Sequence, residues 1–184
     1  MAAHPGPTLT VTYYTTEHLP EIEPVLLDLY ARIYAEEKAG DEFFTMEAFT
    51  GRLHRQAAGP RWGCALGEVD GRPVGYAYGF ARRADYQWGG LIETEPGADL
   101  TETDTRTFAF CEIMVLPEVR GTGIARTLHE ELMSHRPEER SHLLVEEEHP
   151  KVRALYERWG YEKMGIMQHP GSPRYVSMFR QITL

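Results

Sequence analysis

The stretch Arg120–Ala125, with the letters RGTGIA, combines residue types that can bind a doubly charged anion. It follows an apolar run that ends at Leu116 and precedes a helical pattern. The first amides of a helix have no partner within the helix and carry the positive end of its dipole. Gly121 and Gly123 lack the Cβ atoms that would keep a bulky anion away, and Arg120 adds a positive charge. The spacing therefore favours the binding of a pyrophosphate.

Other interpretations of this stretch can be compared with the letters. A P-loop requires Gly-Lys-Ser/Thr, which does not occur in the sequence. The dinucleotide fingerprint requires Gly or Ala at position 126, where the chain has Arg126. Both nucleotide motifs are excluded, which leaves a plain strand-to-helix turn or a site for a diphosphate.

Glu112 and Tyr156 are the candidates for proton transfer. Glu112 is the only carboxylate in the apolar run 107–116. An isolated buried carboxylate has a raised pKa, which suits a general base near neutral pH, although a hydrogen-bonded structural glutamate is the alternative. Tyr156 shares an apolar helical stripe with Leu155 and Trp159, so it is either a core residue or a proton donor.

The remaining acids and histidines give weaker signals. Glu146–Glu148 follow a predicted strand, where a run of acids is usually solvated, although one of them could attract a cationic amine. His129 and His135 are six residues apart and lie on different faces of a helix, so the zinc-protease spacing is absent. The sequence predicts no metal site.

Hydrophobic periodicity predicts the elements that position these residues. Apolar residues at spacings of three and four predict helices over 19–38, 46–57, 124–134 and 150–159. Short β-branched, aromatic or apolar runs predict strands over 8–14, 62–69, 74–81, 107–116, 143–145, 161–167 and 174–182. This order predicts an α/β fold, a mixed central sheet of about seven strands with helices on both faces. We expect a single domain over residues 8–184 after a flexible N-terminus, 1–7.

Residues 82–106 have no clear periodicity and hold six acids, three arginines, Tyr86 and Trp88. A segment of this length without secondary structure is uncommon in a compact domain and is usually functional or disordered. Our hypothesis is a lid over the substrate site.

Composition limits the partners and the compartment. The net charge of −9 repels nucleic acid and anionic membranes and mildly favours cationic small molecules. Cys64 and Cys111 lie in apolar contexts, which indicates reduced thiols. The start MAAHPGPT does not resemble a signal peptide, and no apolar run approaches the roughly 20 residues that span a bilayer. We expect a cytoplasmic protein without nucleic-acid or membrane partners.

Two motifs resemble those of the GNAT N-acetyltransferases. The stretch Arg120–Ala125 resembles the family's acetyl-coenzyme A signature, Q/R-x-x-G-x-G/A. About thirty residues later, HPKVRALYERWGY resembles the second hallmark, a short helix that carries Leu-Tyr-Glu and ends in Gly-aromatic. The order of predicted elements also matches the family, apart from residues 82–106. The resemblance implies a sheet that is splayed in its middle and acetyl-CoA as co-substrate.

The resemblance also implies roles for individual residues. The amides of residues 121–125 would bind the pyrophosphate, the backbone of residues 114–116 would pair with the pantetheine arm, and Tyr156 would lie beside the sulfur. His149 stands where the family often has asparagine, which leaves its contact open. The implied coenzyme-binding residues are Met114, Val115, Leu116, Arg120, Gly121, Thr122, Gly123, Ile124, Ala125, His149 and Tyr156.

The implied reaction is direct attack of a primary amine on the acetyl thioester, with Glu112 as base and Tyr156 as proton donor to the thiolate. A small cationic metabolite or an amine antibiotic is the favoured acceptor. A protein N-terminus or lysine is the alternative acceptor, and a non-catalytic acyl-CoA sensor is the alternative from another class. A homodimer is a further expectation.

Overall fold

The computed structural model describes residues 8–34 and 41–182. The expected flexible N-terminus, 1–7, and the end of the first predicted helix lie outside the described residues. The helices of the described part are α1 (Leu19–Tyr34), α2 (Met46–Ala57), α3 (Ile124–Ser134) and α4 (Pro150–Arg158). Its strands are β1 (Leu9–Thr15), β2 (Gly63–Val69), β3 (Arg72–Ala81), β4 (Leu91–Thr94), β5 (Thr107–Val115), β6 (Arg140–Glu146), β7 (Glu162–Met167) and β8 (Tyr175–Gln181).

The strands form one mixed sheet in the order β1-β2-β3-β5-β6-β8-β7-β4. β5 pairs with β6 in parallel through Thr107, Phe108 and Ala109. The pairs β1/β2, β2/β3, β6/β8, β7/β8 and β4/β7 are antiparallel. The predicted α/β class with a mixed central sheet is confirmed, with eight strands where about seven were expected.

The contacts of the chain group into two compact units. Unit 1 comprises the described residues up to Gly79 together with Glu112–His135, and unit 2 comprises Phe80–Cys111 together with the described residues from Arg136 onward. The prediction of a single domain stays a prediction.

Unit 1 has an aromatic and aliphatic core. Asp70 and Gly71 at the β2–β3 turn have φ of +50° and +75°, as a two-residue hairpin of type I′ requires. A Cβ at Gly67 would lie 2.9 Å from a methyl of Leu128, so glycine lets α3 pack closely against β2. The largest fully buried side chains of this unit are Tyr30, Phe49, Trp62, Tyr76 and Tyr78.

Unit 2 contains the two departures from the predicted elements. The strand β4 lies inside the segment 82–106 and pairs with β7 at the edge of the sheet. β6 begins at Arg140, three residues before the predicted Leu143, and the polar residues at its start are buried. Both differences arise because tertiary partners, rather than local hydrophobic alternation, decide these strands.

Candidate active site

Two glycines lie in the turn directly before the N-terminus of α3. Gly121 has a φ of +77°, and Gly123, the residue before α3, has a φ of +90°. Glycine adopts this left-handed region without steric cost. A Cβ built on either residue would meet nothing within 4 Å, so backbone conformation rather than crowding requires glycine and the space in front of the turn is open.

The first backbone bond of α3 runs from the amide of Thr127 to the carbonyl of Gly123, at 3.1 Å. The amides of residues 124–126 precede this bond, so they are the donors that an anion at this terminus would meet. The arrangement fits a diphosphate.

A groove of about 460 Å³ extends along the first turns of α3. It is lined by Gly123, Arg126, Thr127, Glu130 and Glu131. Arg126 is exposed and adds a positive charge three residues after Gly123. In the sequence Arg126 stood out only as a mismatch to the dinucleotide motif. An arginine in the first turn of a helix that follows a glycine turn is nevertheless a usable signal for anion binding.

Residues 114–116 at the end of β5 are predicted to pair with the pantetheine arm, and only one of the three directs its backbone groups away from β3. The amide of Leu116 donates to the carbonyl of Val74 at 2.8 Å, and the carbonyl of Met114 lies against Gly75. Because consecutive strand residues direct their backbone groups to opposite sides, Val115 points away from β3. Its carbonyl accepts a bond from Nε of Arg120 at 3.3 Å, which ties the glycine turn to the strand. Pairing with a pantetheine arm stays a prediction.

Glu112 lies in unit 1, half-buried. Burial raises the pKa of its carboxyl to about 7, and the positive charge of Arg52 partly opposes this rise. Tyr30 and Tyr76 also face it, and burial raises the pKa of both phenols, with the charge of Glu112 adding to the rise. A carboxyl with this pKa exchanges protons readily near neutral pH, as a general base must.

Tyr156 lies on α4 in unit 2 and is buried among rings. Ring centroids of Phe110, Trp159 and Tyr161 lie 6.3, 5.5 and 5.8 Å from its own. Its carbonyl accepts bonds from the amides of Trp159 and Tyr161, both at 3.0 Å, where α4 ends. The aromatic packing fixes the ring, and the proposed role of the hydroxyl stays a prediction.

The acidic run at the end of β6 is half-buried at Glu146 and exposed at Glu147 and Glu148. Glu147 accepts a bond from Nε of Arg174 at 2.7 Å, and Nε2 of His149 lies 3.1 Å from a carboxylate oxygen of Glu146. Glu146 therefore has a partner in His149, and Glu147 has one in the guanidinium of Arg174. Contact of His149 with a coenzyme stays a prediction.

The described residues offer neither a metal site nor a membrane-spanning helix. No group of three or more His, Cys, Asp or Glu residues in that part of the chain could hold a metal ion. No helix there is long and apolar enough to cross a membrane. Cys64 and Cys111 are thiols rather than a disulfide pair.

Comparison with known proteins decides the family. The model of the acetyltransferase (GNAT) family matches residues 24–161, more than half of the chain. The chain belongs to the GNAT family. GNAT proteins use acetyl-CoA as co-substrate, so the predicted family and co-substrate are confirmed. No curated protein matches the sequence.

Solved structures share the GNAT fold. The ribosomal-protein-S18-alanine N-acetyltransferase from Escherichia coli is 17% identical, with 96% of each chain covered and a TM-score of 0.62. A spermidine N-acetyltransferase chimera from Vibrio cholerae and hSSAT is 18% identical, with 94% of this chain and 95% of that chain covered and a TM-score of 0.57. An aminoglycoside N-acetyltransferase in complex with CoA is 14% identical, with 91% and 97% covered and a TM-score of 0.59. At these identities the likeness concerns the fold.

Proposed function

We propose that this GNAT protein transfers an acetyl group from acetyl-CoA to a primary amine by direct attack. The acceptor is a small cationic metabolite or an amine antibiotic. The supporting observation is the glycine turn: the positive φ of Gly121 and Gly123 directs the first amides of α3 into open space beside Arg126. Amides and arginine together offer a diphosphate both hydrogen bonds and charge compensation.

The acceptor must lose a proton before it attacks. An alkylammonium with a pKa near 10.4 is neutral in only about one molecule in 2,500 at pH 7. Glu112 takes this proton, which its raised pKa of about 7 permits at physiological pH. The neutral nitrogen then forms a bond to the acetyl carbon, and the bond from that carbon to sulfur breaks. The acylated nitrogen carries one proton too many and gives it to the phenolate that Tyr156 becomes on protonating the thiolate, so the products are a neutral amide and a free thiol.

The departing thiolate receives a proton from the hydroxyl of Tyr156. A thiolate with a pKa near 8.5 and a phenol with a pKa near 10 are close enough for this transfer as the C–S bond breaks. The rings of Phe110, Trp159 and Tyr161 support the assignment because they restrict the phenol to one orientation.

The choice of acceptor has weaker support. The net charge of −9 favours cationic ligands in general. Fold neighbours that act on spermidine and on aminoglycosides make these two compound classes sensible first probes. The expected homodimer stays a prediction.

The decisive experiment compares two glycines with matched geometry. Gly121 and Gly171 have φ of +77° and +78°, and a Cβ at either would meet nothing within 4 Å. Substitution by alanine therefore introduces the same backbone strain, about 1–2 kcal/mol, at both positions. We expect Gly121→Ala to weaken CoA binding at least tenfold in calorimetry and Gly171→Ala to leave it unchanged. Equal affinities in both variants, or no heat with the folded wild type, would contradict the proposal.

Measurements of turnover distinguish the proposed small-amine acetyltransferase from a protein acetyltransferase and from a non-catalytic sensor. Release of the CoA thiol is measured with polyamines, aminoglycosides and peptides, for the wild type and for Tyr156→Phe. Turnover restricted to peptides would favour a protein acceptor. Binding of acetyl-CoA without turnover of any amine, with no effect of Tyr156→Phe, would favour a non-catalytic acyl-CoA sensor.

A further inference from the structure

The helix α4 ends in a Schellman motif that brings Tyr161 against Tyr156. Gly160 has a φ of +88°, which glycine adopts without steric cost, and its amide donates to the carbonyl of Glu157 at 3.0 Å. The amide of Tyr161 donates to the carbonyl of Tyr156, also at 3.0 Å. In this motif the residue after the glycine often packs against the residue that accepts its bond. The rings of Tyr161 and Tyr156 accordingly lie 5.8 Å apart between centroids, with their planes at 70°.

The other end of the Tyr161 side chain is fixed to the sheet. Its hydroxyl shares a hydrogen bond with the hydroxyl of Ser141, with 2.7 Å between the two oxygens. Ser141 lies on β6 between two neighbouring strands, opposite Phe108 of β5 and Arg180 of β8. Tyr161 is 2% exposed and Ser141 is 0% exposed, so solvent does not compete for this bond. Tyr161 therefore connects an interior strand of the sheet to the ring of Tyr156.

Hydrogen bonds at both ends distinguish Tyr161 from another ring beside Tyr156. The ring of Phe110 has no polar atom, so packing holds it against Tyr156. Tyr161 is tied by its amide to the carbonyl of Tyr156 and by its hydroxyl to Ser141. A buried hydroxyl that loses its hydrogen bond is unfavourable, so this side chain is restricted to the orientation that keeps both bonds. The ring of Tyr161 is thus a fixed wall for the ring of Tyr156.

We propose that Tyr161 is a positioning residue that, held by Ser141, keeps the phenol of Tyr156 in the orientation from which it donates its proton. The proposal rests on the proposed role of Tyr156 as proton donor to the departing thiolate. A donor contributes only when its hydroxyl meets the sulfur as the C–S bond breaks, and a displacement of about 1 Å can cost about a hundredfold in rate. The role of Tyr161 is to orient the neighbouring ring rather than to exchange a proton itself.

Two buried serines of unit 2 provide a matched test. Ser141 and Ser177 are both 0% exposed, and their hydroxyls are hydrogen-bonded to Tyr161 at 2.7 Å and to His142 at 2.8 Å. Substitution by alanine removes one buried bond in each case, so we expect similar losses in the free energy of unfolding, measured by urea denaturation. With the amine that the wild type acetylates fastest, Ser141→Ala should lower kcat about tenfold with little change in KM. Ser177→Ala should leave kcat within about twofold of wild type, and equal losses of kcat in the two variants overturn the proposal.

Tyr161→Phe is the second variant, since it keeps the ring against Tyr156 and removes only the hydroxyl. We expect it to lower kcat by about the same factor as Ser141→Ala, and the double variant to lower kcat no further, because all three lack the same bond. A kcat unchanged from wild type in Tyr161→Phe overturns the proposal. So do losses of kcat that multiply in the double variant, because the two residues would then act independently.

The orientation of the Tyr156 ring is also measured without turnover, by NMR of the whole folded protein. Tyrosine rings are labelled with ¹³C, and the signal of Tyr156 is identified by its loss in Tyr156→Phe. We expect this signal to shift or broaden in Ser141→Ala and to stay unchanged in Ser177→Ala. An unchanged signal in Ser141→Ala overturns the proposal. Absence of turnover in the wild type, with the signal still responding to Ser141→Ala, would contradict the proposed function and leave the positioning of the ring demonstrated.

Discussion

Two arginines with the same stacking distance differ in their ionic contacts. In unit 1 the guanidinium of Arg52 lies 4.0 Å above the ring of Phe43, and in unit 2 that of Arg140 lies 4.0 Å above Phe179. Arg52 donates to neutral groups. Arg140 forms an ion pair with Glu102 at 3.0 Å, and the two side chains are only 5% and 1% exposed.

Arg140 also donates to the hydroxyl of Thr107 and to the carbonyl of Asp99, both at 2.8 Å. These bonds fasten the segment 82–106 to the strands β5 and β6. The charge of Arg140 is neutralised by the buried carboxylate of Glu102, whereas the contacts described for the guanidinium of Arg52 are with neutral groups. A stacked arginine is therefore informative about function only when its ionic partners are known.

The largest expected effect on stability comes from breaking the buried ion pair between Arg140 and Glu102. Arg140→Met leaves the carboxylate of Glu102 buried and uncompensated, and its Oε2 already has no hydrogen-bond partner among the described residues. We expect a loss of about 3–5 kcal/mol in the free energy of unfolding, measured by urea denaturation. The double variant Arg140→Met/Glu102→Gln should recover at least half of this loss. A loss under about 1 kcal/mol in the single variant would remove the distinction between the two arginines.

Much of the fold could be predicted from local periodicity. The helices Met46–Ala57 and Ile124–Ser134 have the predicted bounds because their apolar residues follow the helical repeat. The strand Leu91–Thr94 was missed because a short, largely exposed edge strand needs no alternation of apolar and polar residues. The start of β6 at Arg140 was missed because a buried polar residue is recognisable only from its partners.

The same limit applies to the candidate site. Gly121, Gly123 and Glu112 could be proposed as site residues because each departs from its immediate surroundings in the sequence, and their roles stay predictions. Arg126 was not proposed as an anion ligand, because only the structure places its side chain beside the open space in front of the glycine turn. The hypothesis that residues 82–106 form a lid stays a prediction. In unit 2 Trp88 of this segment packs edge-on against His142 and Phe179.

The second effect concerns the carboxyl of Glu112 in unit 1. The pKa of Glu112 is about 7 in the folded protein against an ordinary value of 4.5, so the folded state keeps a proton that the unfolded chain loses between these values. Stability contributed by Glu112 therefore falls as pH rises from 4.5 to 7, and the full penalty remains above that window. Glu112→Gln removes this dependence.

We expect the stability of Glu112→Gln, relative to wild type, to rise by up to roughly 3 kcal/mol between pH 4 and pH 8. Urea denaturation at intervals across this range measures the difference. Glu118→Gln, which changes an exposed carboxylate of the same unit, is the control for the loss of one negative charge. A constant difference between Glu112→Gln and wild type across the range would show that Glu112 has an ordinary pKa and no claim to base chemistry.

The smallest expected effect on stability comes from removing the ring of Phe43, on which the guanidinium of Arg52 stacks. Phe43 is 54% exposed, so Phe43→Ala removes a solvated cation–π contact worth about 0.5–1 kcal/mol in the free energy of unfolding. Phe179→Ala removes a ring at the same distance from Arg140 that also packs against Trp88 and His142, and should cost at least about 2 kcal/mol. Urea denaturation of both variants at one pH measures this contrast. If the two losses were equal, the exposed stack of Arg52 on Phe43 would contribute as much to stability as the stack of the ion-paired Arg140 on Phe179, and the contrast between the two arginines would fail.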